Sequence, residues 1–274
     1  MEPTTFRNDH PLAWTYHRGT ARMQPETSQA TSPRPGPGRE DPTAPWIRLP
    51  PGVPVRASLT DVVRERLSCR AFRDQPVHLA ELATLLRIGY GVTGVTEDGP
   101  LYVVDRVVPS AGGLYPLELS VLVRSVEGLA SGIYHYVPFA DGLEQICAEA
   151  VPPALVSSLF LGQPWAAEAA VVLVMSAVCE RSLSRYGDRG YRYLLLEAGQ
   201  LAQNLVLTAT GLRLGAVNLG GFLDDELAGL LRLDTESEIV LYGTAVGHPV
   251  RGDRIARRAV DRLQDRQSLA FADG

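Results

Sequence analysis

Two arginines and a serine occupy alternate positions in the segment Arg66-Leu-Ser68-Cys-Arg70. Alternate side chains of an extended segment share a face, so these three groups converge on one side. Guanidinium groups bind phosphate through paired hydrogen bonds, and a serine hydroxyl adds another donor. The spacing therefore favours a phosphate site. The alternative, which stays open, is a solvated helix end whose arginines complement the helix dipole.

Two glycine-rich loops adjoin candidate buried strands. The first loop consists of Pro109, Ser110, Ala111, Gly112 and Gly113, and the second contains Gly220 and Gly221. Glycines allow backbone amides to approach a flat or anionic ligand closely, although paired glycines are also common in turns. Together with the arginine cluster, the two loops favour a phosphorylated planar cofactor.

The densest polar cluster is SRYGDRGYRY, residues 184–193, which precedes the longest candidate helix. Tyr186 follows Arg185 and is a candidate general base, because positive neighbours favour the phenolate electrostatically. The alternative is a solvated loop whose arginines pair with acidic residues elsewhere. On the first interpretation, Tyr186 and Arg185 are the catalytic candidates.

Several enzyme classes are excluded by residue type. Every one of the 26 basic residues is arginine, which rules out Schiff-base, pyridoxal-phosphate, Walker A and kinase chemistry that needs a lysine amine. The pattern GxGxxG at residues 89–94 follows a helix-like segment, whereas the dinucleotide fingerprint follows a strand. There is no GxSxG elbow and no spacing typical of metal ligands, so no metal is expected.

The composition is typical of a soluble globular protein. The chain has 274 residues with a net charge of −5 and 45% hydrophobic residues, without the basic excess of nucleic-acid-binding proteins. Three distant cysteines suit a reducing compartment, and no apolar run is long enough to span a membrane. We therefore expect a cytoplasmic protein that binds neither nucleic acid nor membrane.

The periodicity predicts three regions and an α+β layered fold. Residues 1–57 form an N-terminal arm and a proline-rich linker, residues 58–250 form the folded domain, and residues 251–274 form an arginine-rich tail. The predicted helices are a short one from the Ser58 and Asp61 capping pair to Leu67, then Val77–Ile88, Arg189–Leu212 and Asp224–Leu231. The predicted strands are Leu117–Arg124, Gly132–Val137, Ala169–Ser176 and Glu238–Val246. The longest helix is apolar on nearly every side, which indicates deep burial or a subunit interface.

These motifs resemble, in order, the flavin-dependent nitroreductase family. The resemblance runs from Asp61 to Pro249 through RLSCRAF, PSAGGLYPLEL, RYGDRGYRYLLLEAGQLAQN, GLRLGAVNLGGF and LYGTAVGHP. Within the family the chain is most similar to the SagB-type branch, the azoline dehydrogenases of thiazole- and oxazole-forming peptide biosynthesis. The resemblance implies a central mixed or antiparallel sheet flanked by helices, and an intertwined homodimer with FMN at its interface.

The resemblance also assigns roles to the motifs. Arg66, Ser68 and Arg70 would hold the phosphate and ribityl chain of FMN, with Arg251 as an additional phosphate ligand. The Pro109 to Gly113 loop would line the isoalloxazine ring, and Gly220 and Gly221 would approach its reactive face. A base would remove a proton from a thiazoline or oxazoline of a modified peptide, and hydride would pass to the flavin.

Two residues differ from the pattern of this branch, which typically has a lysine at Arg185 and often a histidine at Gln200. Arginine supplies a fixed charge but does not shuttle protons. Three functions therefore stay open. The first is oxidation of azolines or a related group in a peptide, for which the resemblance implies a cyclodehydratase complex as partner. The second is NAD(P)H-dependent nitro or quinone reduction, and the third is a scaffold role without catalysis.

Overall fold

A computed structural model of the chain describes residues 6–21, 43–98 and 101–250. The C-terminal tail and its candidate phosphate ligand Arg251 lie outside the described residues, as does most of the proline-rich linker.

Helices and strands both contribute substantially to the fold. The helices are α1 (Phe6–Asp9), α2 (Pro11–Gly19), α3 (Leu59–Glu65), α4 (Leu79–Tyr90), α5 (Pro153–Leu159), α6 (Pro164–Glu168), α7 (Glu180–Tyr186), α8 (Gly190–Gly211) and α9 (Asp224–Leu230). The strands are β1 (Trp46–Arg48), β2 (Val77–His78), β3 (Val92–Asp98), β4 (Leu101–Arg106), β5 (Leu117–Val123), β6 (Val126–Glu127), β7 (Gly132–Val137), β8 (Gly142–Cys147), β9 (Val171–Val178), β10 (Gly215–Leu219) and β11 (Glu238–Gly247).

A seven-stranded sheet forms the centre of the molecule, in the order β1-β8-β7-β5-β9-β11-β10. Each neighbouring pair in this sheet is antiparallel. Strands β5 and β7 are buried along their whole length, since helices and loops cover both faces. The predicted α+β fold with a central sheet is confirmed, and the sheet is antiparallel.

Helix α8 packs against α4 and the sheet along one side. Its residues Leu194, Leu201 and Leu205 are fully buried and belong to the main hydrophobic core. The side chains of Leu195 and Leu196 lie outside this core-facing side and are 44% and 61% exposed. The described part of the chain therefore covers the helix only in part.

Some element boundaries differ from the predicted ones. Helix α3 begins after Ser58, whose hydroxyl accepts a hydrogen bond from the Asp61 amide, but it ends at Glu65 because Arg66 has an extended ψ of 122°. Helix α4 begins at Leu79 because Val77 pairs with Val126 in a short parallel ladder. Strand β1 pairs with β8, so the central sheet also includes residues N-terminal to Ser58.

Candidate functional site

The loop from Ser110 to Tyr115 is shaped by the side chain and carbonyl of its first residue. The Ser110 hydroxyl accepts a hydrogen bond from the Tyr115 amide at 2.9 Å, and the Ser110 carbonyl accepts one from the Gly113 amide at 3.0 Å. Gly112 and Gly113 both have a φ of +66°, a left-handed conformation that glycine adopts without steric cost. The glycine pair is thus required by the turn itself.

This loop lies directly against the Arg185-Tyr186 pair. A Cβ atom added at Gly112 would lie 2.6 Å from the Tyr186 hydroxyl oxygen and 2.9 Å from Nη1 of Arg185. The pair stands at the last turn of α7, which ends where Gly187 adopts a φ of 55° and donates its amide hydrogen to the Leu183 carbonyl. Two separate sequence predictions, the glycine loop and the basic-tyrosine cluster, therefore meet in one place.

Glu197 lies beneath this loop and was not predicted from the sequence. It is only 3% exposed and accepts hydrogen bonds from the Ser110 hydroxyl at 2.5 Å and from the Tyr90 hydroxyl at 2.8 Å. Burial raises the pKa of Glu197 to about 7, although both hydrogen bonds and the charge of Arg106 act in the opposite direction. A signal was present, because Glu197 falls on the buried face of α8 between Leu194 and Leu201.

Arg106 lies between two aromatic rings beside this carboxylate. Its guanidinium carbon is 4.5 Å from the ring centroid of Tyr90 and 5.1 Å from that of Tyr115. The Arg106 amide also donates a hydrogen bond to the Tyr115 hydroxyl at 3.1 Å. The end of β4 is thereby joined to Tyr115, at the end of the loop, and to Tyr90 of α4.

A buried chain of charges connects α7 to the sheet. Arg181 lies 2.6 Å from Glu118, Glu118 lies 2.8 Å from His135, and His135 lies 3.4 Å from Glu144. Burial acts to raise the pKa of Glu118, but hydrogen bonds and charge from His135 and Arg181 outweigh it and lower that pKa. Burial acts to lower the pKa of His135, but its two carboxylate partners raise it. Arg181 also donates to the Tyr115 carbonyl at 3.3 Å, so the chain of charges supports the loop.

The predicted phosphate-binding residues occupy an extended segment after α3. Ser68 forms a parallel bridge with Ala216 of β10, and the Cys69 amide donates to the Ala216 carbonyl at 2.9 Å. The side chain of Cys69 is buried, whereas Ser68 and Arg70 are exposed, as the predicted alternation requires. Arg66 is half-buried, and the guanidinium of Arg70 lies 5.9 Å from the ring centroid of Trp165.

Gly220 and Gly221 directly follow β10, the strand that Ser68 contacts. A Cβ atom at Gly220 would lie 3.3 Å from the ring of Tyr242, and one at Gly221 would lie 3.0 Å from the side chain of Leu161. The backbone therefore packs closely here. The structure associates these glycines with the Ser68 segment through β10.

The predicted residues thus form two groups near different ends of α8. The catalytic group comprises the Ser110 to Gly113 loop, Arg185, Tyr186 and Glu197. The phosphate group comprises Arg66, Ser68 and Arg70. These residues follow α3, which packs on the C-terminal end of α8: a Cβ atom at Gly211 would lie 3.2 Å from the side chain of Val62. At a rise of 1.5 Å per residue, Glu197 and Gly211 are about 20 Å apart along the helix axis.

Over the described residues, the glycine pattern at residues 89–94 has a structural context that differs from that of a dinucleotide site. Gly89 lies within α4 and Gly94 within β3, so a helix precedes a strand, the reverse of the dinucleotide fingerprint. Within residues 6–21, 43–98 and 101–250, no cluster of three histidine, cysteine or acidic side chains has a metal-binding arrangement. Over the same ranges, every helix is too short or too polar to cross a bilayer.

Comparison with known proteins places this geometry in a family. The model of the Nitroreductase family matches residues 63–248. The nitroreductase-like protein MJ1384 of Methanocaldococcus jannaschii is 41% identical over 175 residues, which cover 64% of this chain and 84% of that protein. The microcin B17-processing protein McbC of Escherichia coli is 35% identical over 141 residues, covering 48% of this chain and 50% of McbC.

Solved structures agree with the sequence relatives. A chain of the Escherichia coli microcin synthetase McbBCD complex, bound to truncated pro-MccB17, superposes with a TM-score of 0.59 at 25% identity and covers 90% of this chain and 85% of that one. A nitroreductase-like protein of Anabaena variabilis superposes with a TM-score of 0.64 at 30% identity, covering 76% of this chain and 42% of that one. The chain belongs to the nitroreductase family of oxidoreductases, and its similarity to McbC and to the McbBCD complex supports the SagB-type branch.

Proposed function

We propose that this chain is an FMN-dependent dehydrogenase that oxidises thiazoline or oxazoline rings in a ribosomally made peptide. The observation that carries the proposal is the contact between Gly112 and the Arg185-Tyr186 pair. It brings the candidate base against the loop that, by family resemblance, would line the flavin. Similarity to McbC, a microcin B17-processing protein, favours a peptide substrate.

The chain's own residues fit FMN. Among the described residues the space in front of Gly113 is open, since a Cβ there would have none of their heavy atoms within 4 Å, and the left-handed backbone of Gly113 suits close approach of a flat ring. Ser68 and Arg70 present exposed donors of the kind that bind phosphate. We propose Arg66 as the third residue that binds the FMN phosphate. The backbone at Gly220 and Gly221 would contact the isoalloxazine ring. Bound FMN would supply a two-electron acceptor.

Tyr186 and Arg185 would divide the remaining chemistry. The hydroxyl oxygen of Tyr186, as phenolate, would take a proton from the ring carbon next to the carbonyl group. Arg185, with its guanidinium carbon 5.6 Å from the Tyr186 ring centroid, would provide fixed positive charge there. The substrate ring would lose this proton and one hydride, hence two hydrogens, and molecular oxygen would finally accept the electron pair.

A homodimer would join the two groups of residues. The phosphate and catalytic groups lie toward different ends of α8, about 20 Å apart along its axis, and α8 exposes Leu195 and Leu196. A second copy packed on this exposed side would bury the leucines and bring the phosphate group of one protomer toward the catalytic group of its partner. By analogy with McbBCD, we also propose association with a cyclodehydratase complex.

The cofactor and the reaction are tested together. Protein purified from cells should be yellow and should release FMN on denaturation, identified by its mass. With a peptide that carries azoline rings, the product should be two hydrogens lighter per ring. A colourless protein that takes up no added FMN would overturn the proposal.

A second candidate function is NAD(P)H-dependent reduction of nitro compounds or quinones. The nitroreductase-like protein of Methanocaldococcus jannaschii, at 41% identity, favours it. Fast reduction of the bound flavin by NADPH, with turnover of a nitroaromatic and no peptide oxidation, would decide for this function. Slow reduction of the bound flavin by NADPH, with fast reduction by the azoline peptide, would favour the azoline dehydrogenase function.

A further inference from the structure

The hydroxyl of Ser110 has two roles within the protein itself. It accepts the Tyr115 amide hydrogen at 2.9 Å, which closes the loop, and it donates to Glu197 at 2.5 Å. A serine hydroxyl has one donor and two acceptor sites, so its only proton is committed to this carboxylate. An oxygen–oxygen distance of 2.5 Å is typical of a hydroxyl bound to a charged acceptor.

Glu197 connects the loop to rigid parts of the fold. It projects from α8 and also accepts a hydrogen bond from Tyr90, which belongs to α4. Among the described residues, Arg106 of β4 faces it from a third element, and Glu118 of β5 acts on Tyr90. Glu197 therefore holds the Ser110 end of the loop, while Arg106 and Arg181 hold its other end at Tyr115.

We propose that Glu197 is a positioning residue that holds the Ser110 to Tyr115 loop against Arg185 and Tyr186, and that its protonation redirects the Ser110 hydroxyl. This inference rests on the proposed function for its catalytic meaning. As a carboxylate, Glu197 accepts hydrogen bonds from both Ser110 and Tyr90. As an acid it carries a proton of its own, which must be donated to one of the two hydroxyls. That hydroxyl must then turn its proton elsewhere.

The direction of the effect follows from burial and from the strength of the bond. Tyr90 is fully buried, so its hydroxyl has no solvent to donate to, whereas Ser110 is half-buried and can turn its proton away from Glu197. Because the charge-assisted bond from Ser110 to the carboxylate is the stronger one, the ionised state gives the tighter loop, and the protonated state frees the Ser110 donor. Because burial raises the pKa of Glu197 to about 7, both states are populated near neutral pH.

Global stability should respond to pH in the opposite direction. The folded state holds the proton of Glu197 more firmly than the unfolded chain, where its ordinary pKa is near 4.5. The free energy of unfolding contributed by this group therefore falls as the pH rises from about 4.5 to about 7. If Glu197 had only a structural role, the loop would become looser as the pH rises, in parallel with the loss of global stability.

Hydrogen exchange on the full-length protein as purified tests the inference. Amide exchange of residues 111–115, corrected for the intrinsic pH dependence, should be at least threefold slower at pH 8 than at pH 6. In Glu197→Gln, which stays neutral, this difference should disappear while the thermal midpoint is retained. Glu197→Ala and Ser110→Ala should raise loop exchange about tenfold at pH 8, the scale expected for one lost charge-assisted hydrogen bond.

Glu238 provides a matched control, since it is also a buried carboxylate that accepts a serine hydroxyl, that of Ser176 at 2.6 Å. Glu238→Gln should keep the wild-type pH difference of the loop. Persistence of that difference in Glu197→Gln, or its loss in Glu238→Gln, would overturn the proposal. The measurement needs no added cofactor, so a colourless protein with an intact pH response would refute the proposed function and leave the positioning role standing.

Discussion

The catalytic group and the phosphate group differ in how the protein supports them. The catalytic group rests on buried hydrogen bonds and ion pairs, from Glu197 under the loop to Arg181 behind it. The phosphate group consists of side chains on an extended segment, of which Ser68 and Arg70 are exposed. Substitutions in the first should therefore change the rate of chemistry, and those in the second the affinity for the cofactor.

Tyr186→Phe should have the largest effect. Loss of a general base lowers the rate by about 10²- to 10⁴-fold, whereas the ring and its packing are retained. We expect that loss in the rate of flavin reduction by the azoline peptide, measured in a single turnover. In cells, products two hydrogens heavier per ring should accumulate.

Tyr193→Phe is the matched control, because the Tyr193 ring packs edge-on against Tyr186 at 5.0 Å between centroids. It should keep the wild-type rate within about threefold, the size of a minor packing change. If Tyr186→Phe behaves like the parent protein, Tyr186 is not the catalytic base, and the result supports a scaffold role for the protein.

The double change Arg66→Ala with Arg70→Ala should weaken FMN binding. Each charge-assisted hydrogen bond contributes about 1.5–3 kcal/mol, so the dissociation constant should rise about 100-fold or more. Fluorescence titration with FMN measures it. Arg64→Ala, an exposed change on α3, should leave binding unchanged. If the double arginine variant reacts more slowly even at saturating FMN, the phosphate group also affects the chemistry, and the proposed difference between the two groups of residues is wrong.

The fold could be predicted well where apolar periodicity was strong. Strand β7 begins and ends at the predicted residues, and α8 differs by one residue at each end. Strand β8 was missed because GLEQIC contains acidic and amide side chains, and the β3–β4 hairpin because its residues lack clean alternation. Such segments are strands through pairing with neighbours, which a local pattern does not contain.

The site was predicted where its residues are close in sequence. The alternation from Arg66 to Arg70 and the glycines of the loop are local features. Glu197 was missed because its partners Ser110 and Tyr90 are 87 and 107 residues away in the chain. A charged residue on the buried face of a helix was the available signal, and it indicated burial without naming a partner.

Mixing the Tyr186→Phe variant with the double arginine variant, at an FMN concentration that leaves the latter largely unloaded, tests whether the two groups of residues act across a dimer. In a heterodimer of Tyr186→Phe and the double arginine variant, a composite site would combine the intact phosphate group of one protomer with the intact catalytic group of its partner. Random pairing of equal amounts should then restore about a quarter of the wild-type activity. Co-expression with two affinity tags isolates the heterodimer. No recovery would indicate that each site lies within one chain.

Alanine substitutions at Gly112 and Gly113 distinguish the effect of the contact with Tyr186 from the effect of backbone strain. Both have a φ of +66°, but only a Cβ at Gly112 would collide, 2.6 Å from the Tyr186 hydroxyl oxygen. Alanine at either position should cost about 1 kcal/mol through the left-handed backbone. Gly112→Ala should in addition lower turnover about tenfold by displacing Tyr186. Thermal unfolding and steady-state kinetics measure the two effects, and equal kinetic losses would contradict the contact.

Arg185→Lys should have the smallest effect and shows how far the catalytic group depends on arginine. Lysine keeps the positive charge but loses the planar guanidinium, whose Nη1 would lie 2.9 Å from a Cβ at Gly112. If arginine is present only because this chain uses no lysine, turnover should stay the same or rise. If the guanidinium fits the substrate, turnover should fall about threefold to tenfold, about what one planar hydrogen-bonded contact contributes. Single-turnover flavin reduction distinguishes these two explanations. Arg189→Lys is the control at a neighbouring arginine: Arg189 donates a hydrogen bond to the Thr20 carbonyl in the N-terminal arm, so its substitution should leave the rate unchanged.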